Sequence, residues 1–523
     1  MNTLFGKGIP FMHKRLSFSA WPRLTKTRKD LLLALGVSIA FLLICSKSSP
    51  LYPMNDWSDL HCFYTVGRGI LDGMVPYRDL YEQKGPVLYF FFALLSLISD
   101  TSMIGAFLAE VTAYTLFLFF SLKTARLLLE ENRPVGWLAP ILSFAIFSSK
   151  AAVHGGSVEF LHLWMMSCSL YLAIRAMKED RLPSRRHCFV IGVFCSAALF
   201  TKYTMCGFYL GLAVFVVFWH LCRREAKRLL STILFFFLGM LPLSVIVFLY
   251  FGVHSSINDF LTAYFYNNLN FYGPQARFSK AFITWSLNET FLCSLPFGIL
   301  SLLSIPWLIW RWKKHGLLLL AFLFSFGALG AITLLSGFFP YYVMIYVPSA
   351  VFGLIALGDV LFSLPEFSTF LSRLPGKRCT ALILSAGLLL LTGTVCENTY
   401  LLRYKRADLP QYRFAETIRQ TENATLLNYG FIDSGFYFAS QTLPVSRFFC
   451  LLNVRLPDIE EEHRVMISSG ETDYLVLRDA SLSERFPDVT HYILADECSF
   501  FFEDRLHTYR LYQHQRLQSN PTP

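Results

Sequence analysis

The sequence predicts an α-helical polytopic membrane protein, with about eleven transmembrane helices, interfacial helices in its first outer loop, and a small α/β domain after the last span. Three observations carry this prediction. Of 523 residues, 54% are hydrophobic and only 16% charged, well under the roughly 25% charged residues of soluble domains. Apolar runs of helical length recur between residues 31 and 396. The 46 Lys and Arg fall mostly in short loops between those runs, so the formal net charge of +10 speaks of membrane topology and not of nucleic acid.

Residues 1–30 form a basic N-terminus in which Lys7, Lys14, Arg15, Arg23, Lys26, Arg28 and Lys29 precede the apolar run Leu31 to Cys45. The basic region is long for a signal peptide, and Ser46-Lys47-Ser48-Ser49-Pro50 offers no small-x-small cleavage site. The run therefore reads as a retained first helix with its N-terminus in the cytoplasm. Further runs lie at about 102–122, 134–149, 157–177, 188–201, 204–221, 229–251, 291–310, 317–336, 341–363 and 379–396, most of them near the roughly 20 residues that cross a bilayer.

Val87 to Ser99 is shorter, and charge decides its place. If it does not cross, the segments on the N-terminal side hold 25 Lys and Arg, against 8 in the opposite loops and 13 in the C-terminal tail. A full span there would invert every later loop and erase the bias. It reads as an interfacial or re-entrant helix within a transmembrane domain, 31–396, whose outer loops are 47–101 and 252–290. Residues 397–523 then form an extracytoplasmic α/β domain. Its expected elements are helix Tyr412–Gln420, strands Thr425–Tyr429 and Ser446–Leu452, helix Asp458–Ser469, strand Tyr474–Arg478, and the alternating ends His491–Leu494 and Thr508–Gln513. The 12 Cys show no CxxC spacing and read as buried small hydrophobes.

Charge concentrates in the opening outer loop, where Asp56, Asp59, Arg78, Asp79, Glu82 and Lys84 stand close together. Such groups are costly beside a bilayer, which marks the loop as a functional candidate. On the same face lie Lys150, His154 and Glu159, then Lys202, then His254, Asp259, Tyr264, Tyr266, Tyr272, Arg277 and Lys280, and finally Tyr341 and Tyr342. Plainer readings stand beside these. The aromatics suit an interfacial belt, Gly155-Gly156-Ser157 explains His154 and Glu159 as turn and cap, and Asp59 would cap the helix that follows it. Lys202 either snorkels or pairs with an anion. A cationic, carboxylate-bearing face above apolar walls suits an amphipathic anionic lipid. Its phosphate would rest on Lys84, Arg78 and Lys202, and an Asp would act as general base on an acceptor hydroxyl or stabilise positive charge developing on an anomeric carbon.

The pattern Asp59, Gly67-Arg68-Gly69-Ile70-Leu71-Asp72-Gly73, Pro76-Tyr77-Arg78-Asp79 and Lys84-Gly85-Pro86, followed by an apolar helix, resembles the first extracytoplasmic loop of bacterial GT-C membrane glycosyltransferases. These are the protein-mannosyltransferase-like and aminoarabinose-transferase-like enzymes, of the glycosyltransferase family 39 type. Gly192 with Ala197 to Lys202, and Phe339-Pro340-Tyr341-Tyr342, are similar to further stretches of that family, and the resemblance covers roughly residues 30 to 360. It implies an enzyme of the bacterial cytoplasmic (inner) membrane that moves a sugar from a polyprenyl-phosphate donor to an extracytoplasmic glycan, lipid or protein acceptor. Asp59 matches the catalytic carboxylate and Lys84 the lysine that contacts the lipid phosphate. Where the family often carries an acidic pair, this chain has Asp59-Leu60. That departure leaves Asp79 and Glu82 as candidate second carboxylates and Asp56 outside the pattern. No cofactor is indicated; a divalent cation stays open, since paired carboxylates bind one in some branches and not in others. The competing class is a transporter or flippase for lipid-linked saccharides, which should carry charges deep in its spans and show related halves. Here the spans are nearly free of charge apart from Glu110, and no repeat is visible.

Overall fold

A computed structural model describes residues 25–130, 133–272, 278–373, 377–454, 456–502 and 505–518. The basic residues Lys7 to Arg23 and Arg277, used in the charge argument, lie outside them. The first helix, α1 (Lys26–Cys45), starts where the Thr25 hydroxyl accepts the Arg28 N–H at 3.3 Å, satisfying one of the orphan donors of a helix start. Two short helices, α2 (Ser58–Leu71) and α3 (Pro86–Ile98), form the opening loop. Then come α4 (Ile104–Leu128), α5 (Leu138–Phe147), α6 (Val158–Lys178), α7 (Arg185–Leu199), α8 (Cys206–Cys222) and α9 (Ala226–Val253). The loop after α9 folds as α10 (Ile257–Phe260), a π-helical turn Leu261–Asn267, and α11 (Asn268–Phe271). The helical body ends with α12 (Lys280–Trp310), α13 (Trp312–Leu334), α14 (Val347–Leu361), α15 (Pro365–Arg373) and α16 (Lys377–Val395).

Each of the eleven expected apolar runs is helical. Among the described residues seven helices are long and apolar enough to cross a membrane, or eight if α16 and the turn Glu397–Arg403, bent by 76° against it, count as one span. The others are marginal for physical reasons. α1 carries Lys26, Arg28 and Lys29 in its first turn and Asp30 directly after it, while α7 has 15 residues and α5 only 10, short of the length that covers about 30 Å of hydrocarbon. α3, with 13 residues, is shorter than a span and packs along α2. A Cβ on Gly67 of α2 would stand 2.7 Å from the Ala93 nitrogen of α3.

The long helices meet through small residues. A Cβ at Gly192 of α7 would lie 2.0 Å from the Phe236 carbonyl oxygen of α9, and one at Gly239 of α9 would lie 2.0 Å from that of Phe189. Gly211 of α8 approaches Phe324 of α13 equally closely, and Gly353 of α14 approaches Leu300 of α12. Close backbone approach of this kind supplies dispersion where lipid removes the hydrophobic drive between helices. The outward face is apolar: Leu230, Leu234, Phe237, Leu241, Leu249 and Val253 of α9 are all more than half exposed, a surface suited to hydrocarbon.

After α16 comes a small sheet in the order β1-β2-β4-β3, with α17 (Pro410–Ile418), β1 (Leu426–Tyr429), α18 (Phe436–Ser440), α19 (Pro457–Ser469), β2 (Tyr474–Arg478), α20 (Leu482–Arg485), β3 (Tyr492–Phe502) and β4 (Arg505–His514). β1 and β2 are parallel, and β2, β4 and β3 pair antiparallel, with a register shift between Leu494 and Asp496. The expected strand Ser446–Leu452 is a correction, since this segment is a buried loop. Its pattern comes from Phe448, Phe449 and Cys450, which are buried without a sheet partner, while Arg447 bonds the Tyr77 carbonyl at 3.0 Å and its own carbonyl accepts the Tyr81 N–H at 2.8 Å. The domain thus sits on the opening loop. Thr65 of α2 donates to Asp433 at 3.0 Å, and Arg68 to the Tyr437 carbonyl at 3.2 Å.

Candidate active site

The N-terminus of α2 places the first functional side chain. Trp57 is the N-cap residue without a side-chain cap bond, and Asp59 stands in the first turn, where the helix dipole favours a negative charge. Asp59 is therefore not the cap. Its buried Oδ2 accepts a hydrogen bond from Lys84 Nζ at 3.2 Å and another from the Tyr341 hydroxyl at 3.0 Å. Burial would raise this carboxyl, but Lys84, the Tyr341 hydroxyl and Lys202 outweigh it and hold the group below its ordinary value. It is ionised at neutral pH.

Lys84 is delivered by a tightly built loop. Glu82 accepts the Lys84 N–H at 2.8 Å and the Tyr89 hydroxyl, and its other oxygen lies 3.9 Å from Lys84 Nζ. The Tyr77 hydroxyl donates to the Lys84 carbonyl at 2.6 Å, from a residue held at φ 70°. A left-handed tyrosine is strained and persists only when its surroundings over-determine it; here Tyr77 is buried against Tyr89, Phe251 and Phe260. The next residue, Gly85, donates to the Thr201 carbonyl at 2.9 Å, and Val87 to that of Phe200 at 3.0 Å. A Cβ on Gly85 would stand 2.2 Å from the Phe200 oxygen, so only glycine permits this approach. The loop that carries Lys84 is thereby clamped to the loop that carries Lys202.

Lys202 pairs with Glu159 and lies 3.2 Å from the centre of the Tyr342 ring. Burial pushes its ammonium down to about 8 although Glu159 pulls the other way. Lys84, buried as well, is instead raised, because Asp59 and Glu82 outweigh the burial. Between the two lysines is a cavity of about 50 Å3, lined also by Gln83, Asn268, Tyr272, Ser336 and Tyr342. The turn after α9 closes it: Asn268 donates to the Gln83 carbonyl at 2.7 Å, and Tyr272 and Tyr342 share a hydroxyl bond of 2.5 Å. Against it, touching Thr201, runs an apolar groove of about 440 Å3 between α3, α4 and α6. A second apolar cavity of about 540 Å3 lies between α7, α8 and α9.

A third lysine–carboxylate pair flanks the site. Asp56 bonds Lys47 and the Tyr400 hydroxyl; burial raises its carboxyl, and Lys47 more than reverses that. His154 stacks on Trp57 at 5.3 Å and meets Tyr341 edge-on at 5.5 Å. Burial and Lys47 push its imidazole down to about 3, so it is neutral.

Of the residues singled out from sequence, Asp59, Glu82, Lys84, His154, Glu159, Lys202, Tyr341 and Tyr342 converge here, with Asp56 alongside. Two do not. Asp79 bonds its neighbour Arg78 at 2.8 Å and caps the Val75 N–H at 2.7 Å, and the two side chains are 29% and 44% exposed. Arg78 turns to the His254 carbonyl at 3.3 Å. They pair with each other near the surface and line neither the cavity between the lysines nor the groove beside it. Sequence reasoning missed Lys47, Trp57, Tyr89 and Tyr400. Lys47, a charge directly after an apolar run, was the available signal. Among the described residues no three His, Cys, Asp or Glu side chains converge on a metal site. The carboxylates here are each matched by a lysine, a donor set that does not fit a divalent cation, and no step is routed through one.

No family model matches the sequence, and no curated protein does. Solved structures do share the fold. The crystal structures of ArnT from Cupriavidus metallidurans, bound to undecaprenyl phosphate and in the apo state, superpose with TM-scores of 0.57 and 0.56 at 14% identity, over 93% of this chain and 98% of theirs. The protein is a polytopic membrane protein with the GT-C-like fold and a small C-terminal α/β domain.

Proposed function

We propose that this protein is a membrane glycosyltransferase that moves a sugar from a polyprenyl-phosphate donor to an extracytoplasmic glycan, lipid or protein acceptor, with Asp59 as base. One observation carries the reading: Asp59 is held by Lys84 and Tyr341, and Lys84 and Lys202 line one small cavity that meets an apolar groove at Thr201. The undecaprenyl phosphate bound to a protein of the same fold supports the lipid class. In this reading the isoprenoid lies along the groove and its phosphate between Lys84 and Lys202. The Glu159 Oε2, Gln83 Oε1 and His154 Nδ1 atoms, buried with no hydrogen-bond partner among the described residues, are left for hydroxyls of the sugar.

The acceptor hydroxyl gives its proton to Asp59 and its oxygen forms the new bond to the anomeric carbon. The carbon–oxygen bond to phosphate breaks, and the leaving phosphate keeps the electron pair under the two ammonium groups. As phosphate takes over the Lys84 charge, Asp59 loses the partner that depresses it and becomes a better base. The basic-loop bias supports placing the site on the extracytoplasmic side of the cytoplasmic membrane. The flippase alternative has less support, because the three buried lysine–carboxylate pairs lie together around one site.

The test is release of sugar from a radiolabelled polyprenyl-phosphate hexose by purified protein. Asp59→Asn is expected to abolish it; unchanged release by that variant would remove Asp59 from catalysis. Movement of the lipid-linked sugar across vesicles without chemistry would favour the flippase.

A further inference from the structure

The C-terminal domain contains a second polar cavity, of about 180 Å3, that the transferase site does not use. It opens where the parallel strands β1 and β2 end, since Tyr429 and Arg478 are their last residues. In α/β sheets, the diverging connections at the carboxyl ends of parallel strands leave the crevice in which ligands sit. Gly430, at φ 83°, turns the chain sharply away and keeps the mouth open. Glu460 and His463 of α19 and Arg485 of α20 complete the lining.

Three of the side chains, Arg478, Tyr429 and His463, are held in place before any ligand arrives. The Arg478 guanidinium lies 5.2 Å from the Phe431 ring centre. Tyr429 is braced edge-on by Phe486 at 5.1 Å and by His463 at 6.0 Å. His463 is buried with Nε2 on the Phe448 carbonyl at 2.5 Å, and burial lowers its basicity, so it adds no charge. Two arginines and one glutamate, Arg478, Arg485 and Glu460, therefore supply the charge of the lining. Forked guanidiniums suit a carboxylate or phosphate, an aromatic ring offers an apolar face to sugar C–H groups, and Glu460 accepts hydroxyls.

We infer that this cavity binds an anionic saccharide, a sugar bearing a carboxylate or a phosphate. Resting on the transferase reading, it serves as the recognition subsite for the acceptor. The chain links the two places. From Gly430 the backbone reaches Ser434, at most roughly 14 Å away, and the Ser434 hydroxyl lies 3.3 Å from that of Ser58, the residue before Asp59. A glycan gripped by its anionic unit has its next units directed toward the base.

The experiment is calorimetric titration of the full-length protein in detergent with trigalacturonate, glucose 1-phosphate and neutral maltotriose. Saturable binding of trigalacturonate or of glucose 1-phosphate is expected, the responding probe telling carboxylate from phosphate, with maltotriose at least about tenfold weaker. Arg485→Gln and Arg478→Gln should each weaken it about tenfold, and Lys202→Gln should leave it intact. Arg485 is exposed on a short helix, so its variant keeps the fold if Arg478→Gln does not. Absence of saturable binding, equal affinity for maltotriose, or affinities within about twofold in both arginine variants overturns the inference. Binding that survives while the native protein releases no sugar from the donor lipid leaves this site standing and removes the transferase reading instead.

Discussion

At the scale of single residues, the site runs on three lysine–carboxylate pairs whose environments differ. Asp59→Asn keeps the shape but cannot take a proton; turnover should fall roughly a hundredfold to ten-thousandfold with donor affinity little changed, as steady-state kinetics on labelled donor would show. Tyr341→Phe removes a hydrogen bond to the charged form of Asp59, worth about 1.5–3 kcal/mol. The Asp59 carboxyl should rise, and the acid limb of the pH profile should move to higher pH. The alkaline limb belongs to Lys202. With its ammonium at about 8, the group is charged below that value and neutral above it, so kcat/KM for the donor should decline as pH rises through 8. Lys202→Arg, always protonated, should abolish that decline. A limb that stays in place in the arginine variant would take Lys202 out of phosphate binding.

At the scale of elements, the clamp between the loops of Lys84 and Lys202 matters more than any helix. Gly85→Ala puts a Cβ 2.2 Å from a backbone oxygen that cannot yield cheaply. It should cost about 1–3 kcal/mol of stability and lower activity further than that loss explains, because the cations move apart. Thermal unfolding and turnover measured on one preparation separate the two effects. Gly239→Ala, 2.0 Å from Phe189 and remote from the lysines, should lower stability by a similar amount with turnover of the folded fraction preserved. The elements themselves were largely legible. Each apolar run became a helix because hydropathy and length act locally, and charge distribution separated α3 from the spans. Ser446–Leu452 misled because burial in a loop imitates the apolar pattern of a strand. Arg78 and Asp79 misled because composition does not reveal that neighbours in sequence satisfy each other.

At the scale of the molecule, the site is assembled from distant segments. Lys84 is 25 residues from Asp59, close enough for the loop to declare itself by composition, whereas Tyr341 is 282 residues away and only the fold brings it in. The docking of the C-terminal domain rests partly on Asp433, buried against Thr65 and Asn428. Burial pushes its carboxyl up from 3.8 to about 6. Between those values the folded protein holds a proton that the unfolded chain releases, so this group's contribution to stability falls as pH rises across the window. Asp433→Asn should remove that component, leaving unfolding midpoints between pH 4 and 6 less dependent on pH than in the native protein. The bond from Tyr400 to Asp56 joins residues 344 positions apart, and it follows that order of synthesis governs when the centre matures. Asp56 and its lysine, Lys47, emerge early beside the first helix, but the tyrosine hydroxyl that joins them is made only after the helical body. The surroundings of this carboxylate are thus completed only once the last helix has been delivered.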